Sequence, residues 1–348
     1  MSGSVSEGQE KHCRDNFGEK EIKENSLQKN SFLEFNKIKS DMASAASEQI
    51  EERENVNEWV RFGLKLAVQS ALHPLEYSKV LIQIGFEPIA ARPTTTLLGK
   101  PALGLPNIFQ YVAFIRSVDG LIGCYRGLTP KLLGTLISSH YSDKVADQLG
   151  MARIEDTEKE DMTDDEYFER YQTKLKRDIV VHAAGAIITS PFHVISIRMM
   201  AQFIGKETKY NSIIGSIIEI YKDEGIWGFF SGLIPRLVFD LSCVVVASTA
   251  TYLVGRHFIR EKEGRMYFGS LTSFVCSSMF YPMNVVSTCM IVNGTGLKAG
   301  SMPLMPSYDS WRHCYSSLKS AGDHKRGSSL FFRYVKASRP VIARAITD

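Results

Sequence analysis

The sequence is short of several things, and each shortage narrows its chemistry. Residues 266–297 contain no Asp, Glu, Lys or Arg, a run longer than the roughly 20 residues needed to cross a hydrocarbon core. Two more uncharged stretches, Ile179 to Ile197 and Leu241 to Gly255, point the same way. The mean hydropathy of -0.10 therefore averages apolar spans with polar ends. The six cysteines, Cys13, Cys124, Cys243, Cys276, Cys289 and Cys314, show no CxxC and no paired spacing. They read as reduced thiols, with neither a disulfide framework nor a zinc site. The opening MSGSVSEGQEKHCRDNFGEKE has no hydrophobic signal core and is too acidic for a cleavable matrix presequence, so targeting information is expected in the spans. The 348 residues hold no nucleotide-binding loop, no nucleophile triad and no metal-ligand spacing. The expectation is a protein that is not an enzyme, with no catalytic residue, metal or other cofactor and no nucleic-acid partner.

Charge is unevenly placed. Residues 1–58 carry thirteen acids against eight bases, and 154–170 (IEDTEKEDMTDDEYFER) nine against two. Since the whole chain is +3, the remainder is +15. A basic membrane core suits anionic lipid headgroups, although Lys and Arg flanking spans also serve as snorkelling anchors.

Two segments repeat at 105 residues' distance: DGLIGCYRGLTP at 119–130 and EGIWGFFSGLIPR at 224–236. Around them the same order recurs three times: a Pro-bearing hydrophobic helix, a loop, a short amphipathic helix, then a Gly-rich turn. The prolines are Pro74 in HPLEYSKVLIQ, Pro191 in SPFHVISIRMMAQ and Pro282 in YPMNVVSTCMIV. Short helices are expected over 106–118, 210–222 and 308–319, each with one apolar stripe and lying along the membrane. Gly120, Gly127, Gly225 and Gly232 read as tight-turn residues, with Pro130 and Pro235 near the starts of the following spans, where a missing N–H costs little.

Pro-x-Glu-x-x-Lys followed by Asp-Gly-x-x-x-x-Tyr-Arg-Gly resembles the signature of the mitochondrial carrier superfamily, and the pattern covers about residues 58–333. More narrowly, the divergent motifs, the acidic insertion and the ending RGSSLFFRYV resemble the mitochondrial carrier homolog subfamily. The resemblance implies an all-α membrane helical bundle of three two-helix repeats, kinked at the prolines of the odd helices. It also divides the chain into a polar, disordered tail (1–58), repeat 1 (59–150), an acidic loop (151–175), repeat 2 (176–260), a truncated repeat 3 (261–333) and a short basic tail (334–348).

The departures from the family pattern matter most for function. Transporting carriers close the matrix side with salt bridges between the acid and base after each Pro; here only Glu76 and Lys79 match. His193 and Ser196 stand at those positions in the second repeat, and Asn284 and Ser287 in the third. The opposite gate lapses too: the fourth helix offers Tyr252, Leu253 and Arg256 without its acid, and Tyr141 is followed by Ser142 and Val145. Alternating access loses its locks. After Phe331-Phe332-Arg333 fifteen residues remain, too few for a helix across about 30 Å. Five spans are expected, near 59–83, 128–149, 178–203, 233–257 and 266–292, with the sixth transmembrane helix missing and a polar furrow open between the first and fifth.

Furrow candidates are Asp240 with Arg236, Glu76 with Lys79, His193, Arg198 and Asn284. Each has a plain alternative. Arg236 and Asp240 share a helix face and satisfy one another, Glu76 and Lys79 are ordinary i, i+3 neighbours, and Arg198 ends a long apolar run as a snorkelling anchor. His182 and His193 read as core histidines. The Ser/Thr/Cys-rich fifth helix lines the furrow or packs closely in lipid. The resemblance implies a multi-pass protein of the mitochondrial outer membrane that inserts α-helical proteins, tail-anchored ones included. Its partners would be membrane lipids and client helices, and soluble proteins recruited by the acidic loop. Lipid scrambling, docking of soluble partners and solute exchange are the competing functions.

Overall fold

In a computed structural model of the chain, residues 58–96, 99–151, 163–259 and 261–335 are described. Residues 1–57 of the polar tail, 152–162 of the acidic segment and 336–348 of the basic tail lie outside them. The elements are α1 (Glu58–Ile84), β1 (Arg92–Thr95), β2 (Pro101–Gly104), α2 (Ile108–Gly123), α3 (Leu128–Gln148), α4 (Asp164–Ala201), α5 (Ile213–Glu224), α6 (Leu233–His257), α7 (Lys262–Val292) and α8 (Trp311–Ser320). They fall into two compact units. In one, the described residues are the opening turns of α1 to Val68 and the tip of the β1–β2 hairpin, where Thr96 N donates to Lys100 O at 2.7 Å. The other, residues 69–94 and those from 102 onward, holds all the rest.

The architecture is an all-α bundle of the carrier type, with the three prolines inside α1, α4 and α7. Among the described residues three helical stretches combine the length and apolarity of a membrane span: Asp164–Gly205, Ile226–His257 and Glu263–Val292. The helices α1 and α3 have 27 and 21 residues, long enough at 1.5 Å per residue but with polar side chains along their middles. No sixth long helix occurs among the described residues.

Local chemistry sets the short helices. Asn107 caps α2 and closes a capping box with Gln110; Ser212 and Ser310 accept from Gly215 N and His313 N at the starts of α5 and α8. Each cap satisfies an otherwise orphaned N–H of the first turn. Gly127 and Gly232 precede α3 and α6 with φ of 83° and 72°, a left-handed conformation that a Cβ disfavours.

Three boundaries differ from the sequence reading. Residues 164–175, expected as part of an acidic loop, are the first turns of α4, because Thr163 and Glu166 form a capping box and Asp164, Asp165 and Glu166 lie at the favourable positive end of the helix dipole. The short helix of the first repeat runs on to Gly123 across a break at Gly120. The β1–β2 hairpin had no signal in hydrophobic alternation, and its strands are only four residues each.

The last described stretch lies against the α1–α2 connection. Leu105 N donates to Arg333 O (2.7 Å), Val335 N to Leu103 O (2.8 Å) and Ile108 N to Leu330 O (2.9 Å). Arg333, 8% exposed, donates to Pro106 O at 2.9 Å and pairs with Glu87. The end of repeat 3 is thereby fastened to repeat 1.

Candidate functional site

The floor of the bundle is held by neutral hydrogen bonds at the positions where carriers place ions. Ser196, five residues after Pro191, donates to the carbonyl of Gly127 at 2.7 Å. Ser287, five residues after Pro282, donates to the carbonyl of Gly232 at 2.8 Å. Each bond ties an odd helix to the turn that starts the preceding repeat's even helix. The third junction uses different groups: Gln83 Nε2 donates to Tyr281 Oη (2.9 Å), Thr288 Oγ1 to Gln83 Oε1 (3.0 Å), and Tyr281 Oη to Arg326 O (3.2 Å). Gly327, with φ of 80°, occupies there the place of Gly127 and Gly232; a Cβ on it would meet Tyr281 Oη at 2.9 Å.

Arg198 is no snorkelling anchor. Its side chain has no exposure, and it forks onto Glu224, with Nη1–Oε1 at 2.7 Å and Nη2–Oε2 at 2.8 Å, while Nε donates to Ile291 O at 3.0 Å. It ties α4, α5 and α7 together. The five fixed donors of a guanidinium fit a carboxylate and a helix-end carbonyl at once, which a lysine cannot do.

Above this floor lies a polar cluster between the long helices. Glu76 pairs with Lys131 of α3, a link between helices, and the Lys79 ammonium sits over the Tyr281 ring, 5.1 Å from its centroid. Gln69 and Thr135 add a second α1–α3 contact at 3.1 Å. On α6, Arg236 Nη2 donates to Thr189 Oγ1 of α4 at 3.0 Å, and its Nε lies 3.7 Å from Asp240 Oδ2. Arg236 and Lys131 act electrostatically on His193, and Arg236 acts on Asp240. The side chains of Arg236 and Asp240 keep 23% and 30% exposure, so the pair is neither sealed nor free. Asn284 is half-buried, and its carbonyl accepts from Thr288.

Lys131 was absent from the sequence reading, although a signal existed: it follows Gly127 by four residues as Arg236 follows Gly232. Both cations thus stand one turn into the even helices. A double-mutant cycle tests the new partnership. Glu76 and Lys131 should show a coupling of about 0.5–3 kcal/mol in thermal unfolding, the range for contacting charges. A coupling near zero would remove the link between α1 and α3.

At the opposite end of the helices the lapsed gate residues form a clasp inside repeat 2. Arg256 donates to Asp164 Oδ2 at 3.1 Å and to Tyr252 Oη at 3.2 Å, and Tyr252 stacks on Tyr171 with centroids 4.4 Å apart. The acid missing from α6 comes from the helical extension of α4. In the first half of α7, Ser270, Thr272, Ser277 and Ser278 all donate to carbonyls of their own helix. They can face lipid without an unpaired donor. Among the described residues no group of three or more His, Cys, Asp or Glu could hold a metal ion.

A bundle of long apolar helices, threefold in its Pro-bearing segments and turn glycines, with a charged cluster between its helices, defines a polytopic membrane protein of the carrier type. Residues 179–262 match the mitochondrial carrier protein family. The chain is similar to mitochondrial carrier homolog 2 of Mus musculus, 38% identical over 280 residues that cover 76% of this chain and 90% of the relative. The same protein of Homo sapiens is 39% identical over 277 residues, 75% and 89%. Mitochondrial carrier homolog 1 of Mus musculus is 34% identical over 304 residues, 79% and 76%. The chain belongs to the mitochondrial carrier homolog family, and it is a mitochondrial membrane protein.

Proposed function

We propose that the protein is an insertase for α-helical membrane proteins, tail-anchored ones included, acting in the mitochondrial outer membrane through its polar cluster. One observation carries this reading: charged residues stand between membrane helices over a floor closed by neutral hydrogen bonds, where a carrier would have an ionic lock. An ionic lock opens when its charges are re-solvated or re-paired. The Ser196 and Ser287 hydroxyls, 2% and 1% exposed as whole residues, have no such alternative partner. The floor then stays shut, and the cluster is reached from one side and from lipid.

Such a cluster lowers a specific barrier. Each charged residue carried to the centre of a bilayer costs roughly 2.5–3.5 kcal/mol, and polar groups along the path offset part of this for the flank of an inserting helix. Membrane lipids and client helices are the partners this requires, and no step needs a catalytic residue or cofactor. Soluble partners would dock on the acidic segment before α4. The same cluster favours a second activity, passage of lipid headgroups, because a headgroup meets the same barrier. Solute exchange is disfavoured, since it needs both locks.

The test is reconstitution in liposomes with one tail-anchored client, assayed beside metabolite exchange and lipid flipping. Asp240→Asn should lower insertion several-fold while the protein stays folded. Arg236→Gln with Asp240→Asn should regain any stability lost by either change alone, on the order of 1 to 3 kcal/mol, without regaining the insertion rate. A double variant that inserts at the wild-type rate would reduce the pair to a structural one. Metabolite exchange without insertion would replace the reading by transport.

A further inference from the structure

We propose that α2 and α5 form a membrane seat that α8 lacks: the outward faces of the first two surface helices lie among lipid headgroups and upper acyl chains, and the outward face of the third stands in water. The difference appears at equivalent positions of the repeats. Counted back from Gly127, Gly232 and Gly327, the eighteenth residue is Phe109, Ile214 and Asp309, and the fifth is Ile122, Trp227 and Gly322. Ile122 is 90% exposed and Trp227 84%, surfaces that water penalises. On α5 the exposed Ile214, Ile217, Ile218 and Tyr221 follow the i, i+3, i+4, i+7 spacing of one helix face. That face is distinct from the one that buries Ser216 and Ile220 against the bundle. Helix α8 also buries one stripe, Cys314 and Leu318, but exposes Arg312, His313, Ser316 and Lys319, the pattern of a helix that meets water.

Lipid is the occupant because the exposed surface runs on into the membrane. The apolar stretch Ile226–His257 begins in the turn that carries Trp227 and continues through the exposed Ile234 and Val238 of α6. Tyr221 and Trp227 suit the boundary, where the ring meets acyl chains and its O–H or N–H reaches water. A bilayer also meets equivalent helices of two repeats alike, which a single soluble partner has no reason to do. The sequence reading expects all three short helices along the membrane; the third departs from it because its outward positions are polar. Since α8 shares its apolar cluster with Tyr281 and Val285 of α7, the leaflet at the floor is gripped around repeats 1 and 2 and left ungripped beside α7. This contact goes beyond the insertase reading and does not depend on it.

The experiment uses tryptophan fluorescence of the full chain in lipid nanodiscs, since the sequence holds only Trp59, Trp227 and Trp311. Trp59→Phe with Trp311→Phe leaves Trp227 as the sole reporter. Its emission should be blue-shifted, and lipids brominated near the headgroup end of the acyl chain should quench it about threefold more than aqueous iodide does, as for an interfacial helix. With all three tryptophans changed to Phe, Ile214→Trp and Asp309→Trp then compare equivalent positions. The first should behave as Trp227 does; the second should emit as in water and respond to iodide alone. Circular dichroism checks folding, and if Asp309→Trp does not fold, Ala321→Trp against Leu121→Trp makes the same comparison. Quenching of Trp227 by iodide and not by brominated lipid, or shielding from both by a second copy, would overturn the seat. Brominated-lipid quenching as strong at 309 as at 214 would overturn the difference between α8 and the other two.

Discussion

Glu224→Ala should destabilise the protein by about 3–5 kcal/mol, the cost of leaving one member of a buried ion pair without its partner. Arg198 has no exposure in its side chain, whereas Glu224 keeps 23%. The two single changes are therefore unequal. Removing Glu224 strands a guanidinium in the core with only Ile291 O still bonded to its Nε. Removing Arg198, as Arg198→Met, strands a carboxylate that reaches water and also accepts from Ser231 Oγ at 3.4 Å, for a smaller loss of about 1–3 kcal/mol. Denaturant unfolding in detergent micelles, followed by circular dichroism, measures both. Equal losses would mean that packing of the Arg198 stem, and not its buried charge, holds α4 against α5 and α7.

Gly232→Ala and Gly127→Ala should be nearly as damaging. Both glycines have positive φ, and a Cβ on Gly232 would stand 2.5 Å from Ser287 O, on Gly127 2.7 Å from Ser196 O. These are backbone atoms, which cannot move aside as a flexible side chain would. The left-handed conformation costs roughly 1–2 kcal/mol and overpacking typically about 1–3 kcal/mol more, about 2–5 kcal/mol together. The same contact carries the Ser287 and Ser196 hydrogen bonds, so the floor junctions loosen with it. Gly63→Ala, within α1 and with nothing within 4 Å, serves as the control and should stabilise by about 0.5–1 kcal/mol. Apparent melting temperatures of the three variants separate the effects. Substitutions at 127 and 232 that melt with the wild type would show that α3 and α6 can shift away from their neighbours.

The carrier repeat was legible because it rests on local chemistry. A proline inside an apolar run and a glycine that must adopt positive φ each act within a few residues, so Pro74, Pro191, Pro282, Gly127 and Gly232 announced the fold from the sequence alone. The lapse of the ionic locks was legible for the same reason, since Ser196 and Ser287 are read directly at their positions. What replaced those locks was not. Partner choice among charged groups depends on distances across the bundle, and only the tertiary structure gave Glu76 to Lys131 across 55 residues, Arg198 to Glu224 across 26 and Arg256 to Asp164 across 92. A long, charged side chain at a helix end can reach water or an inward partner with the same local sequence. The choice rests on whether a carboxylate and a free carbonyl already wait inside, which for Arg198 they did.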